Sequence, residues 1–238
     1  MAEDPVAEDR VAEDRVADEA FRLPPEQRLR VNEIFYSLQG ESSFAGRPCV
    51  LVRLTGCHLR CSWCDSEHAF YEGEWLSLEE VLARVATIGC PLVELTGGEP
   101  LLQPAAAPLL AALCDAGYQV LLETSGAVDI SPVDPRVRRI VDVKCPGSGE
   151  VERNHWPNLD ALRATDELKL VLADEADYEW ARDLVLEGRL HERCPVWFSP
   201  VAGALDPARL AGWILRDHLP VRLQLQLHKL LWGDARGV

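Results

Sequence analysis

No run of apolar residues in this sequence approaches the roughly 20 needed to span a bilayer as a helix, and no cluster of lysine and arginine marks a phosphate-binding face. The first absence makes a soluble, cytoplasmic protein the expectation, with no membrane partner. The second, together with a net charge of −15, excludes a general nucleic-acid surface. An apolar targeting segment is also missing from the start, so the eight cysteines are expected as thiols of a reducing compartment rather than as disulfides. Three of them cluster, and no second pair stands elsewhere to complete a set of four. What is present is a chain of 238 residues, 47% of them hydrophobic, which suffices for one large α/β domain.

The acid is unevenly spread. Residues 1–20 hold eight Asp or Glu against two Arg, which leaves a net charge of −9 for the remainder. Their repeated Val-Ala-Glu-Asp-Arg unit has no apolar stripe, so residues 1–28 are expected to form a disordered, solubilising acidic tail and residues 29–238 the folded domain. Val31 to Tyr36 reads as a strand. Cys49 to Thr55 reads as a second one, apolar except for Arg53, as in a strand buried on both faces of a parallel sheet, where a charge needs a partner. Ser77 and Glu80 form the capping box of a helix with Leu78, Val81, Leu82 and Val85 at helical spacing, stopped by Gly89. The chain then alternates, with strands over 91–95, 118–123, 139–143, 168–172, 196–198 and 222–227 and helices over 105–116, 175–186 and 207–217. Alternation of this kind predicts βαβ units and a parallel sheet.

Ligands of such folds bind at the carboxyl ends of the strands, and the unusual polar sequences all fall there. They are residues 55–66, Thr96-Gly97-Gly98-Glu99-Pro100, Glu123-Thr124-Ser125-Gly126, residues 144–149, Ser199-Pro200 and His228-Lys229. If the sheet curls, these tips converge on one mouth. The first carries Cys57, Cys61 and Cys64 at C-x3-C-x2-C spacing. Iron–sulfur clusters normally take four thiolates, so three on one loop suit a cluster with one corner left to a non-protein ligand. Structural zinc is the competing reading, and would need a nitrogen from His58 or His68. The scattered Cys49, Cys90, Cys114, Cys145 and Cys194 read as small buried hydrophobes. In Gly97-Gly98 the missing side chains let backbone approach a ligand closely.

The cysteine loop, with Trp63 before its last cysteine, and Thr96 to Pro100 together resemble the radical S-adenosylmethionine (SAM) superfamily. Glu33 to Glu41, Val52 to Cys57, Cys64-Asp65-Ser66 and Gln226-Leu227-His228-Lys229 further resemble the 7-carboxy-7-deazaguanine synthase family over residues 31–232. The resemblance implies an α/β fold, a partial β/α barrel, in which Cys57, Cys61 and Cys64 bind a 4Fe–4S cluster whose open iron takes SAM. It implies cleavage of SAM to a 5′-deoxyadenosyl radical, hydrogen abstraction from 6-carboxy-5,6,7,8-tetrahydropterin, ring contraction with loss of ammonia, and return of the hydrogen to regenerate SAM.

By the same resemblance, substrate is held by Leu38, Gln39, Gly40, Glu41, Arg53 and Thr96, and SAM by Trp63, Cys64, Asp65, Gly98, Asp142, Val143, Lys144 and Ser199. Asp142-Val143-Lys144 departs from the Ser-Pro-Lys of many members, and Ser66 stands where the family's magnesium ligand is a threonine. A pterin edge with a carboxylate wants a paired donor-acceptor, a carboxylate and a fixed cation, which Gln39, Glu41 and Arg53 supply. The bland alternative for Arg53 is an ion pair with Glu41. The family also implies a homodimer and a flavodoxin- or ferredoxin-like electron donor, and puts His228 and Lys229 at the site's edge. Competing readings are a glycyl-radical activase and a non-catalytic iron–sulfur or zinc module.

Overall fold

A computed structural model describes residues 20–233 and 235–238, so the acidic repeat over residues 1–19 lies outside the described residues. Ordered contacts begin ahead of residue 29. Ala20 is buried, and the Arg28 guanidinium packs against the edge-to-face pair of Phe21, at 4.7 Å, and Trp75, at 4.8 Å.

The strands are β1 (Arg28–Leu38), β2 (Pro48–Leu54), β3 (Glu74–Ser77), β4 (Leu92–Gly97), β5 (Gln119–Thr124), β6 (Arg138–Val143), β7 (Glu167–Leu172), β8 (Val196–Pro200) and β9 (Arg222–Leu223). They form one sheet in the order β3-β1-β2-β4-β5-β6-β7-β8-β9, whose outer strands do not pair with each other. From β2 onwards all neighbours are parallel, whereas β1 runs antiparallel to both β2 and β3. The helices are α1 (Leu78–Ile88), α2 (Ala106–Asp115), α3 (Glu175–Glu187), α4 (Pro207–Arg216) and α5 (Leu227–Trp232). The fold is therefore an open, partial α/β barrel.

Strand alternation separates an oily outside from a polar inside. On the outer face Val50, Val52, Val93, Leu95, Val120 and Leu122 pack against Val81 and Val85 of α1 and Leu109, Leu110 and Leu113 of α2. Further round, Leu168, Leu170 and Leu172 of β7 with Phe198 of β8 meet Tyr178 and Ala181 of α3 and Leu210 and Trp213 of α4. The residues between them point inward. β2 is thus not apolar on both faces, since Leu51 and Arg53 are half-buried and face the interior. The capping box of α1 is in place, with Glu80 N–H donating to Ser77 Oγ at 3.2 Å and Ser77 N–H to Glu80 Oε2 at 2.7 Å, and Gly89 ends the helix in the left-handed region at φ 73°.

Two elements differ from the sequence expectation. The strand read over 222–227 stops at Leu223, and the chain turns into helix α5 at Leu227, whose N–H donates to the Gly40 carbonyl at 2.9 Å. The four-residue strand β3, with Leu76 its one buried residue, is too short for an alternation to be detected from sequence.

Candidate active site

The inward-facing side chains enclose one cavity of about 710 Å3 at the carboxyl ends of the parallel strands. Its lining draws on every one of the polar tips that follow the strands, from the cysteine loop to His228 and Lys229. All the residues that the family resemblance assigns to substrate, SAM, cluster and magnesium line it, from Leu38 to Ser199. His155 and Trp156, on the loop beyond the β6 tip, do not line it. Trp156 packs instead towards Trp180 of α3, ring centroids 6.4 Å apart.

The deep end is a charged lattice. Because β1 runs against the other strands, its end delivers Gln39 to Glu41 to the far side of the barrel, where the loop crosses the floor. Glu41 accepts from Lys169 Nζ at 2.9 Å, Gln224 Nε2 at 2.8 Å and Gln226 Nε2 at 2.9 Å. Lys169 also pairs with Glu123, and Thr96 Oγ1 donates to Glu123 at 3.4 Å. Burial works against the ionised Glu123, yet Lys169 and Arg53 hold its carboxyl below the usual range, and Glu123 and Glu41 in turn keep Lys169 charged against burial.

Glu94 is placed differently. It is 1% exposed, and its one partner among the described residues is neutral, Gln39 Nε2 at 2.8 Å. Burial and the nearby charges of Glu123 and Glu41 push its carboxyl up to about 8, so it holds a proton at neutral pH. Arg53 pairs with Glu33, at 2.7 Å through Nε, and not with Glu41. Among the described residues its two terminal nitrogens make no hydrogen bond, which leaves a two-pronged donor facing the cavity.

The mouth holds the cysteines. All three are half-buried thiols on the cavity wall, and burial pushes each of them up. Among the described residues no three His, Cys, Asp or Glu side chains converge as a single metal ion requires. Zinc would need such convergence, but a four-iron cluster gives each thiolate its own iron, so this spread of donors fits the cluster. The loop lies tight against the β4 turn. A Cβ on Gly98 would fall 2.3 Å from the Gly56 carbonyl oxygen and 2.7 Å from Cys57 Cβ, and Gly97 adopts φ +146°.

Across the mouth Lys144 Nζ bonds Asp142 Oδ2 at 2.5 Å, while the buried Asp142 Oδ1 has no partner among the described residues. That acceptor suits a ligand with hydroxyl or amino donors. Beside them Ser66 Oγ donates to Asp65 Oδ1 at 3.0 Å, and Asp65 Oδ2 takes Lys229 Nζ at 2.9 Å. Burial opposes ionisation of Asp65, but Lys229, Gln226 and Ser66 outweigh it and hold the carboxyl well below the carboxylate range. A hydroxyl whose proton is committed to Asp65 presents lone pairs to a hard cation, so Ser66 fits a magnesium ligand.

Sequence reading passed over Glu33, Glu94, Glu123 and Lys169 as site residues. A signal was available. Glu94, Glu123 and Lys169 each interrupt an apolar strand as Arg53 does, and the chain has only three lysines, Lys144, Lys169 and Lys229, all of which line the cavity.

The sequence model of the radical SAM superfamily matches residues 51–145, the stretch from β2 through the cysteine loop to the β6 tip. This cavity, with three cysteines at its mouth in a partial barrel, defines a radical SAM protein. The chain is 50% identical to the 7-carboxy-7-deazaguanine synthase of Chlorobaculum tepidum, over 90% of this chain and 99% of that one, and 46% identical to that of Koribacter versatilis, over 88% and 100%. The crystal structure of QueE from Escherichia coli superposes with a TM-score of 0.64 at 25% identity, covering 84% of this chain and 95% of that chain. The chain belongs to the 7-carboxy-7-deazaguanine synthase family.

Proposed function

We propose that this chain is a radical SAM lyase that contracts 6-carboxy-5,6,7,8-tetrahydropterin to 7-carboxy-7-deazaguanine with release of ammonia, on the route to queuosine and other 7-deazapurines. The observation that carries the reading is the polarity of one cavity, with an open-cornered cysteine triad at its mouth and a fixed array of donors and acceptors at its floor. Cys57, Cys61 and Cys64 hold a 4Fe–4S cluster, and Trp63, Cys64, Asp65, Gly98, Asp142, Val143, Lys144 and Ser199 form the surface against which SAM lies. When bound, cluster and SAM supply one-electron reduction and hydrogen-atom transfer.

The chain's own residues bind and orient. Arg53 offers its free terminal nitrogens to the substrate carboxylate, while Glu33 on Nε keeps the guanidinium plane from rotating. Protonated Glu94 is a donor and ionised Glu123 an acceptor, so the floor can read a ring edge that carries both kinds of group. Leu38, Gln39, Gly40, Glu41 and Thr96 shape that floor, and Ser66 contributes its hydroxyl to Mg2+. Residues 29–238 form the catalytic domain, with the preceding segment from Ala20 strapped to it. A homodimer and a flavodoxin- or ferredoxin-like reductant belong to the proposal on family grounds. A glycyl-radical activase would need a mouth for a protein segment, and an electron carrier has no use for a charged floor.

The test is anaerobic turnover of the full chain with SAM, reductant, Mg2+ and the carboxytetrahydropterin. Ammonia and deazapurine should form in equal amounts without net consumption of SAM. Neither product, with cluster intact and SAM bound, would reject the reading. Ser66→Ala should keep its iron and lose the stimulation by magnesium.

A further inference from the structure

Residues 55–66 contain no helix or strand, so the shape of the cysteine loop is set by what it is bonded to. Three hydrogen bonds to the turn after β6 bracket Cys61. Arg60 N–H donates to Glu150 Oε1 at 2.6 Å, Ser62 N–H to the Ser148 carbonyl at 3.1 Å, and Ser62 Oγ to the Gly147 carbonyl at 2.7 Å. That turn is held from behind by Asp177, in the first turn of α3. Its Oδ1 accepts the Gly147 N–H at 2.8 Å and its Oδ2 the Ala173 N–H at 3.0 Å.

Capping does not account for Asp177, because the N-cap of α3 is Asp174, which accepts the Asp177 N–H at 2.9 Å. Asp177 is 2% exposed, and among the described residues no cation pairs with it. A carboxylate buried without a cation is costly, and here it is matched by two backbone N–H groups, one from the turn after β6 and one just ahead of the α3 N-cap. The fit is close. A Cβ on Gly147 would lie 2.6 Å from Asp177 Oδ2. The Gly147 residue is thus bonded on both sides, by N–H to Asp177 and by carbonyl to Ser62, the residue next to Cys61.

We propose that Asp177 is a positioning residue for Cys61. Through Gly147 and Ser62 it fixes where the middle cysteine stands, and with it how firmly the loop retains its iron. The inference rests on the cluster reading above. Second-layer partners of metal ligands typically change metal affinity by about 10–100-fold when removed, which sets the scale.

The experiment measures iron and sulfide per chain after anaerobic reconstitution, then the rate at which a chelator bleaches the visible absorbance. Asp177→Ala should lose iron about tenfold faster than wild type, at the lower end of that range. Ser62→Ala should move in the same direction, and the double variant should be no faster than Asp177→Ala alone, because both cut one connection. Asp177→Asn, which keeps an acceptor for Gly147, should recover part of the loss. Unfolding of the iron-free chains is followed alongside, since a role confined to α3 would lower that midpoint and leave the release rate unchanged. Wild-type release rates in Asp177→Ala and Ser62→Ala, or strictly additive effects, would overturn the proposal. If Asp177→Ala does not fold, Ser62→Ala and Gly147→Ala decide it by the same rate. A wild-type chain that takes up no iron overturns the cluster reading itself, whereas wild-type loading with unchanged variants overturns the positioning alone.

Discussion

Lys169→Met keeps the length of the side chain and removes the one cation that stands between Glu41 and Glu123. In the wild type Nζ is 2.9 Å from Glu41 and bonded to Glu123, with the lysine side chain 8% exposed. Glu123, held below its ordinary 4.5 in the fold, contributes stability that is present above 4.5 and lost as pH falls through the lower folded value. Without the lysine, burial raises that carboxyl above its unfolded value, so its contribution changes sign and grows less favourable as pH rises. At pH 7.5 the fold must either bury an unpaired charge or protonate a group about 3 pH units above its unfolded pKa. The second route costs about 4 kcal/mol at roughly 1.4 kcal/mol per unit, in line with the ~3–5 kcal/mol typical of breaking one side of a buried ion pair. At pH 5.5 the same protonation costs only about 1.4 kcal/mol. Urea unfolding of the iron-free chain at the two pH values, extrapolated linearly, measures both deficits. A deficit below about 1 kcal/mol at pH 7.5, or an equal deficit at both, would refute the reasoning about this lattice.

Glu94→Gln tests the opposite case. A carboxyl near 8 in the fold and 4.5 unfolded makes the wild type lose stability as pH rises between those values, so the glutamine variant should gain on the wild type by about 2 kcal/mol from pH 6 to 8 in urea unfolding. Parallel curves would contradict a proton on Glu94. Arg53→Lys, with the two-pronged donor replaced by a point charge, should lower kcat/KM about 100-fold, mainly through KM, in steady-state assays with the pterin. Near wild-type turnover would remove Arg53 from the substrate carboxylate. Deleting residues 1–19 should leave the melting temperature unchanged, while deleting 1–22 removes Ala20 and one ring of the stack on Arg28, for a loss of about 1 kcal/mol, or roughly 2–4 °C, with activity intact.

Much of this was legible because local chemistry repeats across folds. Ser77 with Glu80 announces a helix start wherever it occurs, and a glycine pair directly after an apolar strand announces a close backbone approach, here to the cysteine loop. Partners across the barrel were not legible. Arg53 announced that it needed a counter-ion, but Glu41 lies beyond the far end of a strand that runs the other way and is occupied by Lys169, while Glu33, within that same neighbouring strand, sits directly opposite Arg53. Leu168 to Leu172 gave a strand and hid a site residue in it, since the period that identifies a strand says nothing of what its inward side faces. Past Leu223 the alternation of Leu225 and Leu227 imitates a strand. Gln224 and Gln226 are drawn off to Glu41 instead, and Leu227 is capped on Gly40.

The closing of the floor by those last contacts bears on how the molecule comes into being. Gly40 is met by Leu227 and His228, and Glu41 by Gln224 and Gln226, so the longest separations along the chain are spent on the one region where shape matters most. During synthesis the cysteine loop and its neighbouring strands leave the ribosome well over a hundred residues before the segment that seals the cavity beneath them. A nascent chain therefore owns a cysteine triad before it owns a floor, and contacts of such high order carry a loop-closure entropy that must be met before they reward it. Residues 224–229, whose Gln224 and Gln226 bond Glu41 at the floor, thus come to the site only after the cysteine loop has been made.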